Sequence, residues 1–485
     1  MRTNVKLVTI AVFVATFMTA IEGTIITTAM PTIVSSLKGI EIMNWVFSIY
    51  LLTSAMLTPI YGKFADNIGR KPVFLFGTLL FIIGSAFCGM ANTMLTLIIA
   101  RALQGLGAGA MMPVALTIIA DLYPVEKRAK VLGLNSTAWG IASVVGPLAG
   151  GLIVDTIGWH WIFFINVPIG LGLIALIWFY FHEEKKAFAA VNIDYAGSLL
   201  LMLTLVGLLL GFQLLGDYGV SLPVLSLFVF SVLMSIGFVR VEKKAADPII
   251  DLKLFHSKLF VVVNIVAALA SGFLMGIDVY IPMWMQGVLG MSAGIGGLVL
   301  APLSILWMIG SFLASRWLTQ HSVSWVLTVS LVITATGALW LFLTPAQTSF
   351  WLFLVISSIT GVGLGATMVV CTVTAQTSVA PTQVGVATSF NTLLRTIGQT
   401  IMVAVFGIVL NTSNSIGLAQ AQVTDSSVMN QLVDPAAARQ LPTALLGQLR
   451  EILYSGLHWV FGIGVLLIVL AIGLTRTISR ESGTI

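Results

Sequence analysis

FMTAIEGTI (17–25) and FLMGIDVYI (273–281) coincide when the chain is slid over itself by 256 residues. Phe17 meets Phe273, Ile21 meets Ile277, Ile25 meets Ile281, and Glu22 meets Asp278. The same offset lays GLGAGAMM (105–112) on GVGLGATM (361–368) without a gap. Both acids stand in long apolar runs. An ionisable side chain in a membrane segment costs several kcal/mol, so it marks a path for ions or substrate. One such acid in each internal repeat predicts a device that handles protons or cations between two helical bundles.

Composition agrees with a membrane setting: 58% of residues are hydrophobic, 8% are charged, and mean hydropathy is +1.05. Apolar runs long enough to cross a hydrocarbon core of ~30 Å recur throughout. They fall near 7–31, 44–64, 72–91, 93–121, 131–153, 161–181, 194–215, 219–240, 259–287, 294–317, 323–343, 349–375, 384–411 and 452–476. Lipid offers the backbone no hydrogen-bond partners, so these fourteen are read as helices. A barrel would need short alternating strands, which the pattern lacks. Of 23 Lys and Arg, all but Lys38, Arg439, Arg450, Arg101 and Arg395 fall on the side shared by the N-terminus and the even-to-odd connections. The positive-inside rule then places both termini in the cytoplasm. The basic pI reflects this orientation, and no nucleic-acid partner is needed to explain it. The first span carries Arg2 and Lys6 and a poor cleavage site in Ala29-Met30-Pro31, so it reads as retained. Cys88 and Cys371 lie on separate helices and read as small core residues, not a disulfide or metal site.

Six helices take about 190 residues, yet the halves repeat at 256. The surplus matches a helical pair, 194–240, flanked by HEEKK (182–186) and RVEKK (240–244). The expected plan is a six-helix bundle (1–190), an inserted hairpin (191–245) and a second six-helix bundle (246–485). GLNSTAWGIASVVG (133–146) also lies on GVATSFNTLLRTIG (385–398), matching Gly146 to Gly398. The polar stretch 412–451 is expected on the outer side, with a short interfacial helix near 436–449 and no readable function beyond a cap.

Several strings carry a family likeness. GKFADNIGRK (62–71) resembles the loop between the second and third helices of the major facilitator superfamily. There Gly62 and Gly69 permit close approach and a tight turn, and Asp66 can accept from Arg70 or a helix N-terminus. The resemblance implies a cytoplasmic gate latch built from Asp66, Arg70 and Lys71. AIEGTIITTAMP (20–31), ARALQGLGAGA (100–110), GIASVVGPLAGG (140–151) and WHWIFFINVPIG (159–170) resemble motifs of that superfamily's fourteen-helix drug:proton antiporters. Glu22 stands where Asp is more usual, and His160 where Arg is common. In the third string Gly146 and Pro147 shape a bendable, tightly packed helix. The likeness covers essentially the whole chain and is strongest over 20–170.

Helix depth gives Arg101 a role without that likeness. It lies about eight residues, or ~12 Å, from the outer end of its helix, and Glu22 also lies in the outer half. A nearby cation would hold Glu22 ionised until displaced, with a purely structural ion pair as the plain alternative. Desolvation moves carboxylate titration toward neutral pH, as a proton carrier needs, and a packing hydrogen bond is the plain reading for Asp278. Glu22, Asp278 and Arg101 are thus the proton-coupling candidates. Tyr50, Tyr280, Trp284, Gln104, Asn391 and Arg395 join the two acids as candidates to line a substrate cavity. The expected activity is proton-driven export of lipophilic, often cationic compounds across a bacterial plasma membrane, by a monomer in contact with lipid. A symporter of a small polar solute and a non-transporting sensor are the rivals. The chain has no GxxxxGK[ST] loop, so ATP coupling is disfavoured. It has no His/Cys/carboxylate cluster at metal spacing and no nucleophile motif, so no cofactor, metal or enzymatic reaction is expected.

Overall fold

The computed structural model describes residues 3–123, 125–183, 194–245, 252–379, 384–423, 425 and 427–478. Among them, every regular element is helical. Fourteen long helices run in order: α1 (Val5–Leu37), α2 (Met43–Ile68), α3 (Arg70–Gly89), α4 (Met94–Leu122), α5 (Val125–Thr156), α6 (Asn166–Tyr180), α7 (Tyr195–Tyr218), α8 (Leu222–Glu242), α9 (Lys258–Met283), α10 (Ala301–Leu318), α11 (Val323–Phe342), α12 (Phe350–Thr377), α13 (Val384–Gln420) and α14 (Thr443–Thr475). Thirteen spans among the described residues are long and apolar enough to cross a membrane. The chain is a multi-pass membrane protein. The pair α7–α8 falls within the expected insert 191–245, and residues 184–193 and 246–251 on its two sides lie outside the described residues.

The repeat seen in the sequence recurs in the packing. In the first half α1 touches α4, α5 and α6, α4 touches α2 and α3, and α3 touches α6. In the second, α9 touches α12, α13 and α14, α12 touches α10 and α11, and α11 touches α14. Glycines explain how this closeness arises. A Cβ at Gly105 or Gly109 would strike α2 at Tyr50, Thr53 and Ser54, and one at Gly107 would strike α3 at Gly77 and Phe81. Their mates behave alike: Gly361 and Gly365 lie on the α10 backbone at Leu303 and Trp307, and Gly363 on α11 at Ser330 and Thr334. Without a hydrophobic drive between helices in lipid, such small residues let dispersion and close backbone approach hold the bundle. The five-residue span in each half therefore packs one helix against two neighbours at once.

Between the halves, α1 meets α9, α2 meets α13, and α5 meets α10 and the short helix Ala293–Leu298. Tyr280 Oη donates to Asn44 Oδ1 (2.9 Å), Gln286 Nε2 to Thr28 O (3.3 Å), and Asn411 Nδ2 to Glu41 O (3.0 Å). All these residues lie toward the helix ends remote from the chain's N-terminus, the side expected to face outward, so the seam is closed at that end. The hairpin helix α7 packs on α2 and α13, with Leu201, Leu205 and Phe238 against Ala55 and Leu393.

The outer segment departs from expectation. Helix α13 continues to Gln420, well past the membrane run, and α14 begins at Thr443. Close contacts of Gly417 with Ile452 and of Gly456 with Leu410 hold these extensions together. A single helix over 436–449 is therefore not formed; short helices at Val428–Leu432 and Pro435–Ala438 precede a break at Pro442. The segment also does more than lie over the mouth. Asn430 is buried, and its Oδ1 accepts from Gly39 N (3.1 Å) and Ile40 N (2.8 Å) of the α1–α2 turn. Asn430→Ala is expected to loosen this seal and raise the labelling rate of a cysteine placed at Ala29 by an external thiol reagent about fivefold. An unchanged rate would show that the two bonds do not hold the seam.

Candidate functional site

Glu22 points away from the seam and into the first bundle, where it is 0% exposed. Arg101 Nη1 of α4 donates to Glu22 Oε1 at 2.6 Å and to Gln104 Oε1 at 2.7 Å. Arg101 Nε donates to the Val46 carbonyl (3.2 Å), and the guanidinium lies 4.0 Å above the Tyr50 ring. A charge this deep is tolerated when paired and fully hydrogen-bonded. A fixed planar fork can serve a carboxylate, an amide oxygen and an aromatic face together, which a lysine could not. Thus Glu22, Arg101, Gln104 and Tyr50 are brought into one cluster.

The sequence reading missed two members. Asn166 Nδ2, at the start of α6, donates to Glu22 Oε2 (2.7 Å) and to Ser85 Oγ (3.0 Å). Ser85 Oγ in turn donates to the Phe163 carbonyl (2.9 Å). The available signal was an asparagine inside the apolar string WHWIFFINVPIG, whose cost demands a partner. Asn166→Ala leaves Glu22 Oε2 without that donor and should cost about 1–3 kcal/mol of stability, read as a lower unfolding temperature in detergent. No change would place Asn166 outside the network.

The mate of Glu22 has different surroundings. Asp278 on α9 is half-buried and has no hydrogen bond or ion pair among the described residues. At the repeat position matching Arg101 stands Ser357, whose buried Oγ also lacks a partner among them. The side chains at 271, 274 and 278 follow helical spacing, so Ser271, Leu274 and Asp278 share one face of α9.

The remaining cavity candidates scatter. Tyr280 is buried in the outer seam against Phe406 and Asn44. Trp284 is fully buried in the second bundle among Phe353, Tyr454 and Phe461, so in this state it forms core instead of lining a cavity. Asn391 is buried, donating to Asn264 Oδ1 (2.9 Å). Arg395 is half-buried, with Nε 3.4 Å from Ser271 Oγ. A groove of about 880 Å³ opens on the outer flank of α13 and α14, lined by Gln420, Gln448 and Glu451. It lies apart from all these residues. Among the described residues, no group of His, Cys, Asp and Glu is arranged to hold a metal ion.

At the end of the bundle that carries the N-terminus, Gly69 takes φ +101° at the head of α3, a conformation that favours glycine. Glu183 accepts from Arg70 N (2.9 Å) and Lys71 N (3.2 Å), placing a carboxylate on the helix's positive end. Arg70 pairs through Nε with Asp121 of α4 at 2.9 Å. Lys71 Nζ donates to the Trp178 and Phe181 carbonyls. The basic residues thus bind α3 to α4 and α6 within one half. The side chains of Asp66 and Pro147, with Gly62, lie outside the described residues. Gly146 packs α5 on α1 at Thr24 and Ile21, one turn from Glu22.

Comparison with known proteins places this geometry. "Multidrug resistance protein 3" of Bacillus subtilis is 36% identical, covering 96% of this chain and 94% of its own. "Multidrug transporter protein MdtP" of the same organism is 34% identical, covering 96% and 91%. "Multidrug export protein EmrB" of Haemophilus influenzae is 33% identical over 69% of this chain and 66% of its own. Among solved structures, a bacterial homologue of the human lysosomal transporter Spinster superposes with TM-score 0.66 at 16% identity, covering 97% and 96%. A D-xylose–proton symporter gives 0.65 at 13% identity, covering 99% of each chain. The family model "Major Facilitator Superfamily" matches residues 12–403. With both bundles, their shared helix order and these relatives in hand, the chain belongs to the Major Facilitator Superfamily.

Proposed function

We propose that this protein is a proton-coupled exporter of lipophilic, often cationic compounds, working as a monomer in a bacterial cell membrane with both termini in the cytoplasm. The observation that carries the reading is the contrast between two repeat-related acids. Glu22 is sealed in a compensated cluster with Arg101, whereas Asp278 has no ion pair or hydrogen bond among the described residues. The multidrug names of the relatives support the substrate class. The closed outer seam supports a state loaded from the cytoplasm, with substrate entering between α1 and α4 on one side and α9 and α12 on the other.

The mechanism follows from competition for a carboxylate. A substrate cation drawn toward Asp278 replaces a proton there. Rocking of the halves opens the outer seam, and an external proton then displaces the cation. The Glu22–Arg101 pair reports on this change through α1, which carries Glu22 and touches α9. Arg101 releases Glu22 only when α1 and α4 shift against one another, so protonation of Glu22 is tied to the rocking step. The inner staple of Arg70, Asp121 and Glu183 moves the first half as one body. Each charge moved through 100 mV supplies about 2.3 kcal/mol, or roughly 50-fold accumulation.

The test is purified protein in proteoliposomes with an imposed pH gradient and a fluorescent lipophilic cation. Export predicts cation movement opposite to the proton flow. Cation movement in the proton's direction would favour a symporter, and no flux of any solute would favour a sensor.

A further inference from the structure

Arg395 lies well inside a membrane helix and has no carboxylate within ion-pair distance among the described residues. It sits about 16 Å along α13 from its inner end at 1.5 Å per residue. Its neighbours are polar but neutral. Nε lies 3.4 Å from Ser271 Oγ, which itself donates to Met368 Sδ of α12 at 3.7 Å. One turn back, Asn391 is engaged by Asn264 and accepts from Thr372 Oγ1 (3.3 Å). Both Nη groups have no protein partner among the described residues, and Cys371 of α12 stands beside the head group. Arg101 shows what a structural intramembrane arginine looks like in this fold: a carboxylate, an amide oxygen, a carbonyl and a ring engage it through Nη1, Nε and its face. Arg395 is built differently.

A guanidinium at this depth costs several kcal/mol, and such groups face the bundle interior or a water-filled path. The junction of α9, α12 and α13 gives the direction. Helices α9 and α13 are those of the second half that touch α1 and α2 of the first. Gly398 and Met402, on the same stripe of α13, pack against Ala268 and Gly272 of α9. The head group, only partly exposed, lies on that α9-facing stripe, where the two helices that reach the other half converge. The uncommitted Nη edge is the fork that meets a carboxylate or sulfonate bidentately. Asp278 lies two helical turns farther out on the Ser271 face, about 10 Å away.

We propose that Arg395 is an anion-recognition residue of the transport cavity, so that the protein also carries amphiphiles bearing a carboxylate or sulfonate, zwitterions with a separate cationic group included. This rests on the exporter reading above and names a second substrate class for the same cavity. In a zwitterion the acid sits on Arg395 and the cationic end reaches toward Asp278. A substrate with only a cationic end uses Asp278 and does not engage Arg395.

Two dyes that differ at one group separate the possibilities: rhodamine 123, a cationic ester, and rhodamine 110, its free carboxylic acid. Gradient-driven transport of each is measured in proteoliposomes for the wild type, Arg395→Gln and Arg395→Lys. The expected result is that the wild type moves both, and that Arg395→Gln slows the acid about tenfold more than it slows the ester. Arg395→Lys, keeping charge but losing the fork, falls between them. Transport of the ester by the same variant shows that it is folded. The proposal is overturned if the wild type moves the ester alone, if Arg395→Gln affects both dyes equally, or if it affects neither. If the wild type moves neither dye, the exporter reading fails first and this proposal with it.

Discussion

Arg101→Ala is expected to abolish gradient-driven transport and to lower stability by about 3–5 kcal/mol, the cost of breaking a buried ion pair from one side. Glu22 would be left 0% exposed with Asn166 as its remaining described donor. Gln104 Oε1 would keep only the weak Cys88 Sγ donor (3.6 Å) among the described residues, and the Val46 carbonyl would lose its bond from Arg101 Nε. Arg101→Lys should recover part of the stability and little of the transport, because a point charge cannot serve three acceptors and the Tyr50 ring together. The double change Arg101→Leu with Glu22→Leu separates the two effects. Removing both charges should restore much of the unfolding temperature, since an isolated buried charge is the main penalty, while transport stays lost. Full transport in the double variant would reduce the pair to a structural role.

The second large effect lies at the glycine crossings. Gly105→Val and Gly361→Val, repeat mates on α4 and α12, should each prevent recovery of folded protein. The obstacles are backbone atoms: Tyr50 carbonyl and Cα for Gly105, Leu303 carbonyl for Gly361. Flexible side chains can move aside, but here whole helices must separate. The cost therefore reaches or passes the upper end of the ~1–3 kcal/mol typical of overpacking. Gly172→Val on α6 is the control, because nothing lies within 4 Å of a Cβ there. Fluorescence-detected size exclusion of tagged protein reads the outcome. Normal monodisperse peaks for both crossing variants would mean that the helices do not pack as closely as described.

Much of the architecture was legible because it rests on short, repeated strings. The 256-residue offset marks the same glycines that later lie on α2, α3, α10 and α11, since close approach in lipid demands small residues whatever the surrounding sequence. The meeting of Glu22 and Arg101 was legible from depth alone, as both residues are costly and sit at similar heights. Asn166 and Ser85 were not, because their partner lies on another helix and an amide within an apolar run has no spacing that names its acceptor. Trp284 was read as a cavity residue for its aromatic character, yet aromatic area in a bundle is as readily absorbed by Phe353, Tyr454 and Phe461. The polar run after residue 411 was read as loop. Helix α13 continues into it as far as Gln420, where Gly417 packs against Ile452 of α14, a tertiary effect that hydropathy does not register. The different surroundings of Asp278 were foreshadowed by Ser357 at the place of Arg101.

The central claim is that Asp278 exchanges a proton for a substrate cation. The most direct measurement is proton release by purified protein in weakly buffered detergent solution on addition of a lipophilic cation. The wild type is predicted to release protons as the cation binds, and Asp278→Asn to release none while Glu22→Gln still does. Equal release from the wild type and Asp278→Asn would contradict the account.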